Sequence, residues 1–447
     1  MSWLWFEAAL LPSGWAERVR ITCSGGRIAE VESGLAPQPS DERAAVGIPG
    51  IGNLHSHAFQ RAMAGLTETR GPNGDDFWTW RELMYRFVDT LTPEDVEAIA
   101  AQAYAEMLET GFTRVGEFHY LHHGAGGEAY ADPAEMALRI IAAASETGIG
   151  LTLLPTFYAH GGFGGLPLGA RQARFALTLK SFAALQERAG AALAALPDGT
   201  CGVAAHSLRA VAPGELAELI ALAPDTPFHI HIAEQSREVE DCLTWSGQRP
   251  VAWLLDHAPV DKRWCLVHAT HVEADEADRL AATGAVVGLC PITEANLGDG
   301  LFPARGFPGA FGVGSDSNVL IDAAEELRLL EYGQRLQARA RVVLGGGGSV
   351  GAALVAKAVA GGAQALGVTS GLAIGAPADI VSLDASHPAL MEKRGDALLD
   401  GWIFAAGRTA VDRVWRGGIK VVEGGRHLKG EVIKARYRRT LGRLLAP

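Results

Sequence analysis

No run of apolar residues in this 447-residue chain approaches the ~18–20 that a membrane-spanning helix needs, so no such span is expected. The opening Met1–Phe6 has neither the basic stretch nor the long apolar core of a secretory signal, which makes a cytoplasmic location the expectation. Cysteine is sparse: five residues, Cys23, Cys201, Cys242, Cys265 and Cys290, lie far apart with no CxxC pair. That set argues against a disulfide framework and against cysteine-based zinc sites, and it fits small buried side chains in a reducing compartment. Basic residues are in deficit, 39 Lys+Arg against 51 Asp+Glu for a net charge of −12, which disfavours nucleic acid as a partner. The four-glycine run Gly345–Gly348 is not followed by the Lys-Ser/Thr of a phosphate loop, so it reads as a connection. Short-period repeats are absent as well.

What the chain does contain is a regular alternation. Apolar, β-branched runs at Gly47–His57, Thr113–Tyr120, Gly150–Tyr158, Gly202–Leu208, Pro227–Ala233, Trp264–Ala269, Ala285–Cys290 and Phe311–Ser315 read as strands. Between them lie helical stretches, among them Pro93–Glu109, Pro133–Thr147, Arg171–Ala189, Pro213–Ala223, Pro250–His257 and Glu273–Thr283. Near-continuous apolar strands alternating with helices predict a parallel sheet covered by helices, hence a (β/α)8 TIM-like barrel, with a doubly wound open sheet as the alternative. Both ends read instead as short strands joined by tight glycine turns, which predicts one small β-sandwich. The expected division is residues 1–46 plus 372–447 for the sandwich and 47–371 for the barrel.

Histidines and carboxylates gather at the C-terminal ends of the predicted strands, the face on which barrels build their sites. His55 and His57 close strand one; residues i and i+2 on a strand share a face, so both imidazoles can reach one metal. Strand five ends in His229-Ile230-His231-Ile232-Ala233-Glu234. His231 is the expected third ligand, because Glu234 then sits just beyond it as an acid/base, while His229 lies one layer deeper. Strand six ends at His268 and strand eight at Asp316. Each is unremarkable alone; together they are hard to obtain by accident.

This set of strand-end residues resembles the amidohydrolase superfamily over nearly the whole chain. His206 on strand four, with no lysine there to bridge two metals, and the spacing of His231 and Glu234 resemble its mononuclear deaminase branch. Three longer segments, His55–Arg61, His231–Gln235 and Cys290–Gly300, are similar to those of the deiminases of N-formimino-L-glutamate within that branch. The resemblance implies one Zn²⁺ per subunit on His55, His57, His231 and Asp316, with iron or another divalent metal as alternatives. It implies Glu234, His268 and Asp316 as the catalytic groups and Gln60, Arg81, Tyr120, His206 and Arg209 as contacts to a small acidic substrate. The implied reaction is hydrolytic deimination to N-formyl-L-glutamate and ammonia in histidine breakdown, by a homodimer without membrane or nucleic-acid partners. Arginine suits such a substrate because its planar fork binds carboxylate bidentately. Asn318 departs from the histidine expected after Gly-Ser-Asp-Ser and bears on specificity rather than on the ligands. Phe77, Trp78 and Trp80 read either as a lid or as packing for the neighbouring helix. Three rival readings are a deaminase of purines, pyrimidines or guanidine-type compounds, a two-metal cyclic amidase, and a non-catalytic scaffold.

Overall fold

The computed structural model describes residues 1–69 and 77–446. Eight parallel strands form the barrel wall: Ile51–Ser56, Phe112–His119, Gly150–Phe157, Val203–Ser207, Phe228–Ile232, Trp264–His268, Val286–Leu289 and Ala310–Val313, here called barrel strands one to eight. Strands two and three are buried at every residue, as strands covered by helices outside and filled by side chains inside must be. Short Thr200–Cys201 adds a further pairing to strand three just before strand four.

Closure between strands eight and one is made just beyond strand eight, through a single parallel bridge between Ser56 and Asp316. The His57 N–H donates to the Asp316 carbonyl at 2.9 Å, and the Asp316 N–H donates to the His55 carbonyl at 2.9 Å. Gly314 permits the approach, since a Cβ there would lie 2.8 Å from both the N and the O of His55. The seam of the barrel is therefore built from the backbone of residues singled out above as ligands.

The helices begin where local chemistry satisfies their free N–H groups. Pro93–Glu109 starts with Thr92 and Asp95 in a reciprocal cap: the Thr92 hydroxyl accepts from Asp95 N–H at 3.3 Å and the Asp95 carboxylate accepts from Thr92 N–H at 2.8 Å. The expected helix Arg171–Ala189 is instead a 3-10 turn, Ala170–Phe175, followed by a helix over Leu179–Leu193. Thr178 caps that second helix, and buried Arg174 turns inward to donate to the carbonyls of His123 and Leu91, each at 2.9 Å. Among the described residues no helix is long and apolar enough to cross a membrane.

The terminal segments pair into one eight-stranded sheet. From edge to edge it runs Arg426–His427, Ile419–Glu423, Val411–Arg416, Ile380–Leu383, Glu42–Pro49, Ser2–Leu11, Gly14–Ser24 and Arg27–Glu32. All neighbours are antiparallel except Ser2–Leu11 with Glu42–Pro49. The sheet curls on itself. Phe6 and Trp415 stand three strands apart, roughly 14 Å in a flat sheet, yet their rings meet edge-on at 5.8 Å. The Ile28 N–H also reaches the Ala376 carbonyl at 2.9 Å, so the far edge returns toward the strand Ile380–Leu383. The run Gly47–His57, read above as one strand, is divided at Gly50. Its first part pairs in this sheet and its second opens the barrel.

The close backbone approach at the seam predicts a contrast between two glycines. Gly314→Ala drives a Cβ into backbone that cannot move without parting strands one and eight, and should cost about 2–3 kcal/mol of unfolding free energy. Gly190 lies in the helix Leu179–Leu193 with nothing within 4 Å of an added Cβ. Gly190→Ala should be neutral or stabilising by up to about 1 kcal/mol. Urea denaturation of both variants measures the difference, and equal responses would contradict the close approach at the seam.

Candidate active site

The ends of strands five, six and eight are held in unusual backbone conformations. Ala233, His268, Asp316 and Asn318 have φ of 50°, 69°, 46° and 57°. Asparagine and aspartate tolerate this region, but a residue such as Ala233 is strained there by about 1–3 kcal/mol, and such strain collects at functional sites. The turns aim side chains inward that a continuing strand would point elsewhere.

Three imidazoles converge. The Nε2 atom of His55 is 3.2 Å from that of His57 and 3.0 Å from that of His231. Asp316 Oδ1 lies 3.4 Å from His55 Nε2 and 3.3 Å from His57 Nε2. His57 presents Nδ1 to the Phe118 carbonyl and His231 presents Nδ1 to the His206 carbonyl, both at 2.9 Å. A carbonyl only accepts, so the ring proton resides on Nδ1 and each Nε2 carries a lone pair. Burial keeps the rings neutral, pushing His55 down to about 3 and His57 and His231 below the usual histidine range. For Asp316, burial is outweighed by the hydrogen bond to His55 and by the neighbouring histidines, which hold its carboxyl well below the usual range. The Nε2 atoms of His57 and His231 and the Asp316 carboxylate are thus acceptors gathered around His55 Nε2, a donor set that a cation would satisfy. Four ligands at ~2.0–2.1 Å around a tetrahedral ion stand about 3.3–3.4 Å apart, so these four residues fit a metal.

Beside the cage lie His268 and Glu234, both buried. His268 Nε2 stands 3.8 Å from Glu234 Oε1 and 3.9 Å from Asp316 Oδ2, and its Nδ1 meets Glu294 Oε1 at 3.2 Å. Burial disfavours the imidazolium, but the Glu234, Glu294 and Asp316 carboxylates outweigh it and lift His268 to about 10. Burial raises Glu234 to about 7 against the pull of His268 and Arg209. A carboxyl poised there can hold or release a proton near neutrality.

A cavity opens above these groups. His57, His231, Glu234, His268 and Asp316 line its floor, with Tyr120, Tyr158, Phe175 and His206 around them. Gln60 Nε2 donates to the Tyr120 hydroxyl at 2.9 Å, while Gln60 Oε1 is buried without a partner among the described residues. Arg81, on the helix Phe77–Val88, and Arg209, past strand four, also line it, and the Nε of each is buried with no hydrogen-bond partner among the described residues. Arg81 and Arg209 stand 4.6 and 5.6 Å from the Trp78 ring centre, with Arg237 at 4.8 Å. Phe77 and Trp80 line the cavity, so this aromatic group both borders the pocket and packs its arginines.

Every residue singled out above as a ligand, catalytic group or substrate contact is thus in or directly beneath one cavity, His55 being the one beneath. His229 is elsewhere, with Nε2 on the Ala365 carbonyl at 2.8 Å. His122, His123 and His160 are engaged with Thr156, Ala176 and Glu215 and stay outside the cavity. Asn318 is fully buried, does not line the cavity, and bonds the backbone of two candidate ligands, so it has no direct way to read a substrate. Sequence reasoning missed Glu294, Glu238, Tyr85 and Tyr158. Glu238 accepts the N–H groups of Ala233 and Glu234 at 3.3 and 3.1 Å and so fixes the exit of strand five. Glu294 sits inside the distinctive segment Cys290–Gly300, a signal that marked the segment without marking the residue.

Neutral imidazoles and a carboxylate caged at the C-terminal mouth of a barrel, with a buried acid alongside, make this the architecture of a metal-dependent barrel hydrolase. The chain belongs to the amidohydrolase family, which residues 46–421 match, and residues 1–45 match the N-terminal domain of formimidoylglutamate deiminase HutF. It is 50% identical over 453 residues to the formimidoylglutamate deiminase of Pseudomonas aeruginosa, with 100% of both chains covered. A crystal structure of an amidohydrolase from Brucella melitensis superposes with a TM-score of 0.97 at 54% identity, again covering 100% of both chains. An adenosine deaminase from Xanthomonas campestris, solved with bound zinc, shares the fold at 22% identity and a TM-score of 0.83, covering 99% of this chain and 98% of its own.

The cage predicts a single tightly held divalent ion per chain. His231→Ala removes one of the three nitrogen donors, and elemental analysis after dialysis should show metal content falling to a small fraction of wild type. Retention of full metal content would reject the cage.

Proposed function

We propose that this chain is a zinc-dependent deiminase that hydrolyses N-formimino-L-glutamate to N-formyl-L-glutamate and ammonia. The observation that carries the reading is the pair of arginines, Arg81 and Arg209, whose buried Nε groups have no hydrogen-bond partner among the described residues and border one cavity above the cage. An unsatisfied buried donor is costly, and a ligand carrying carboxylates would satisfy both. Support comes from the full-length 50% identity to a formimidoylglutamate deiminase.

When bound, the ion supplies a water whose pKa is brought toward neutrality. The rest falls to the protein. Arg81 and Arg209 take the two carboxylates and thereby place the formimino carbon over the cage. His268, 3.9 Å from Asp316 Oδ2, joins Asp316 in orienting the attacking water and stabilising charge as the carbon becomes tetrahedral. Glu234 gives its proton to the imino nitrogen, takes one proton from the attacking water, passes that one to the same nitrogen as the C–N bond breaks and ammonia departs, and recovers the remaining hydroxyl proton as the formyl C=O forms. Tyr120, held by Gln60, and His206, against Ser207 at 3.3 Å, orient the substrate's remaining polar atoms. Glu294 holds His268 in place through Nδ1.

Ammonia release from N-formimino-L-glutamate by zinc-loaded protein tests the reading, with N-formimino-L-aspartate, guanine and a chelated sample alongside. Turnover is expected with the glutamate compound and none after chelation; turnover of guanine instead would discard the carboxylate role of the arginines. Glu234→Gln should lower kcat by about 10²–10⁴-fold with little change in KM. Arg209→Met should lower kcat/KM by about 10²-fold or more, since it strands a charged group of the substrate. A variant of Glu234 with wild-type kcat would remove it from the proton path.

A further inference from the structure

Asn318 is completely buried and uses every polar group it has. Its N–H donates to the Ser315 carbonyl at 2.8 Å, and its own carbonyl accepts from Arg61 Nη1 at 3.2 Å. Its side-chain oxygen accepts from the Ser315 hydroxyl at 2.6 Å. Its amide nitrogen faces three acceptors: the Ser56 hydroxyl and the His57 carbonyl, each at 3.1 Å, and the Asp316 carbonyl at 3.0 Å.

The direction of these bonds is determined from further down the seam. Asn53 Oδ1 accepts from the N–H of Ser315 at 3.0 Å and of His55 at 3.4 Å. Its Nδ2 must therefore be the end that donates to Ser315 Oγ, at 2.6 Å. The carbonyls of His57 and Asp316 can only accept, so the end of Asn318 that faces them is the NH2, and its Oδ1 accepts the Ser315 proton. The NH2 thus meets two carbonyls, one from each side of the seam. Those carbonyls belong to His57 and Asp316, two of the four members of the cage.

We propose that Asn318 is a positioning residue for the metal cage. By tying the exit of strand one to the exit of strand eight, it holds the His55–His57 pair and Asp316 at ligand spacing before the ion arrives. The inference rests on the metal reading of the cage. It differs from a general packing role in what it affects: the relative placement of ligands that come from opposite sides of the barrel closure. Positive φ at 318 suits asparagine, and glycine also tolerates it, so Asn318→Gly deletes the amide without adding backbone strain.

The test compares wild type, Asn318→Gly and Ser315→Ala, the last removing the hydroxyl that orients the amide. Zinc affinity is measured by competition with a chromogenic chelator, and Tm is measured for metal-free and zinc-loaded protein. Asn318→Gly is expected to bind zinc about 10–100-fold more weakly, the usual effect of losing a group that orients a ligand. Ser315→Ala should lose less in the same direction. The rise in Tm on zinc addition should shrink in step, because that rise reports affinity for the folded state. If Asn318→Gly does not fold, Ser315→Ala decides. Unchanged zinc affinity in the variant that folds, with metal-free and loaded Tm lowered equally, would overturn the positioning role. A wild-type protein that takes up no zinc would overturn the metal reading beneath it.

Discussion

Where strand eight meets strand one, the backbone of His55, His57 and Asp316 closes the barrel while their side chains converge on one point. The two duties restrain each other. Two imidazole nitrogens 3.0 and 3.2 Å from His55 Nε2, with a carboxylate beside them, need restraint from outside the cluster. The closure hydrogen bonds, the glycine at 314 and the amide of Asn318 supply it from behind. Carbonyls on neighbouring strands present the rings of His57 and His231 with the correct nitrogen forward. Most other features of the site follow from this arrangement, since the acid, the cavity and its rim are all placed relative to that point.

Charge is layered around it. The chain as a whole is acidic, and the floor of the cavity is more so, with Glu234, Glu294 and Asp316 around His268. A cation in the cage and the imidazolium offset these carboxylates in a region that water barely reaches, where charges act on one another strongly. The guanidiniums of Arg81 and Arg209 border the same cavity from the helix Phe77–Val88 and the loop after strand four, sharing the face of Trp78. Such a layout suits a substrate with an amidine at one end and carboxylates at the other. The deep end offers acid and cation, the other two arginines. A ring substrate would leave the buried Nε groups of those arginines without an acceptor among the described residues.

The barrel strands were legible because a parallel sheet covered on both faces demands unbroken apolar runs, and seven of the eight fall within two residues of the predicted bounds at each end. The exception, Gly47–His57, shows the limit. Its apolar pattern continues across Gly50, so periodicity alone had no reason to assign Gly47–Pro49 to a different sheet. The run from Arg171 misled for a related reason. Its composition is helical throughout, but Arg174 is drawn inward by carbonyls of His123 and Leu91, partners 51 and 83 residues away.

The chemistry at the strand ends is legible in the chain alone. HxH at strand one, His231 with Glu234 at strand five, His268 and Asp316 are local patterns whose geometry follows from the two-residue period of a strand and the common face of a barrel. Tertiary structure alone decided which groups hold those residues in place. Glu294 grips His268 across 26 residues, and Asn318 bridges to His57 across 261. Neither contact leaves a periodic trace, because each depends on two loops meeting in space rather than on spacing along a strand. The same holds for the seam itself, where a barrel that only closes on folding sets the separation of its own candidate ligands.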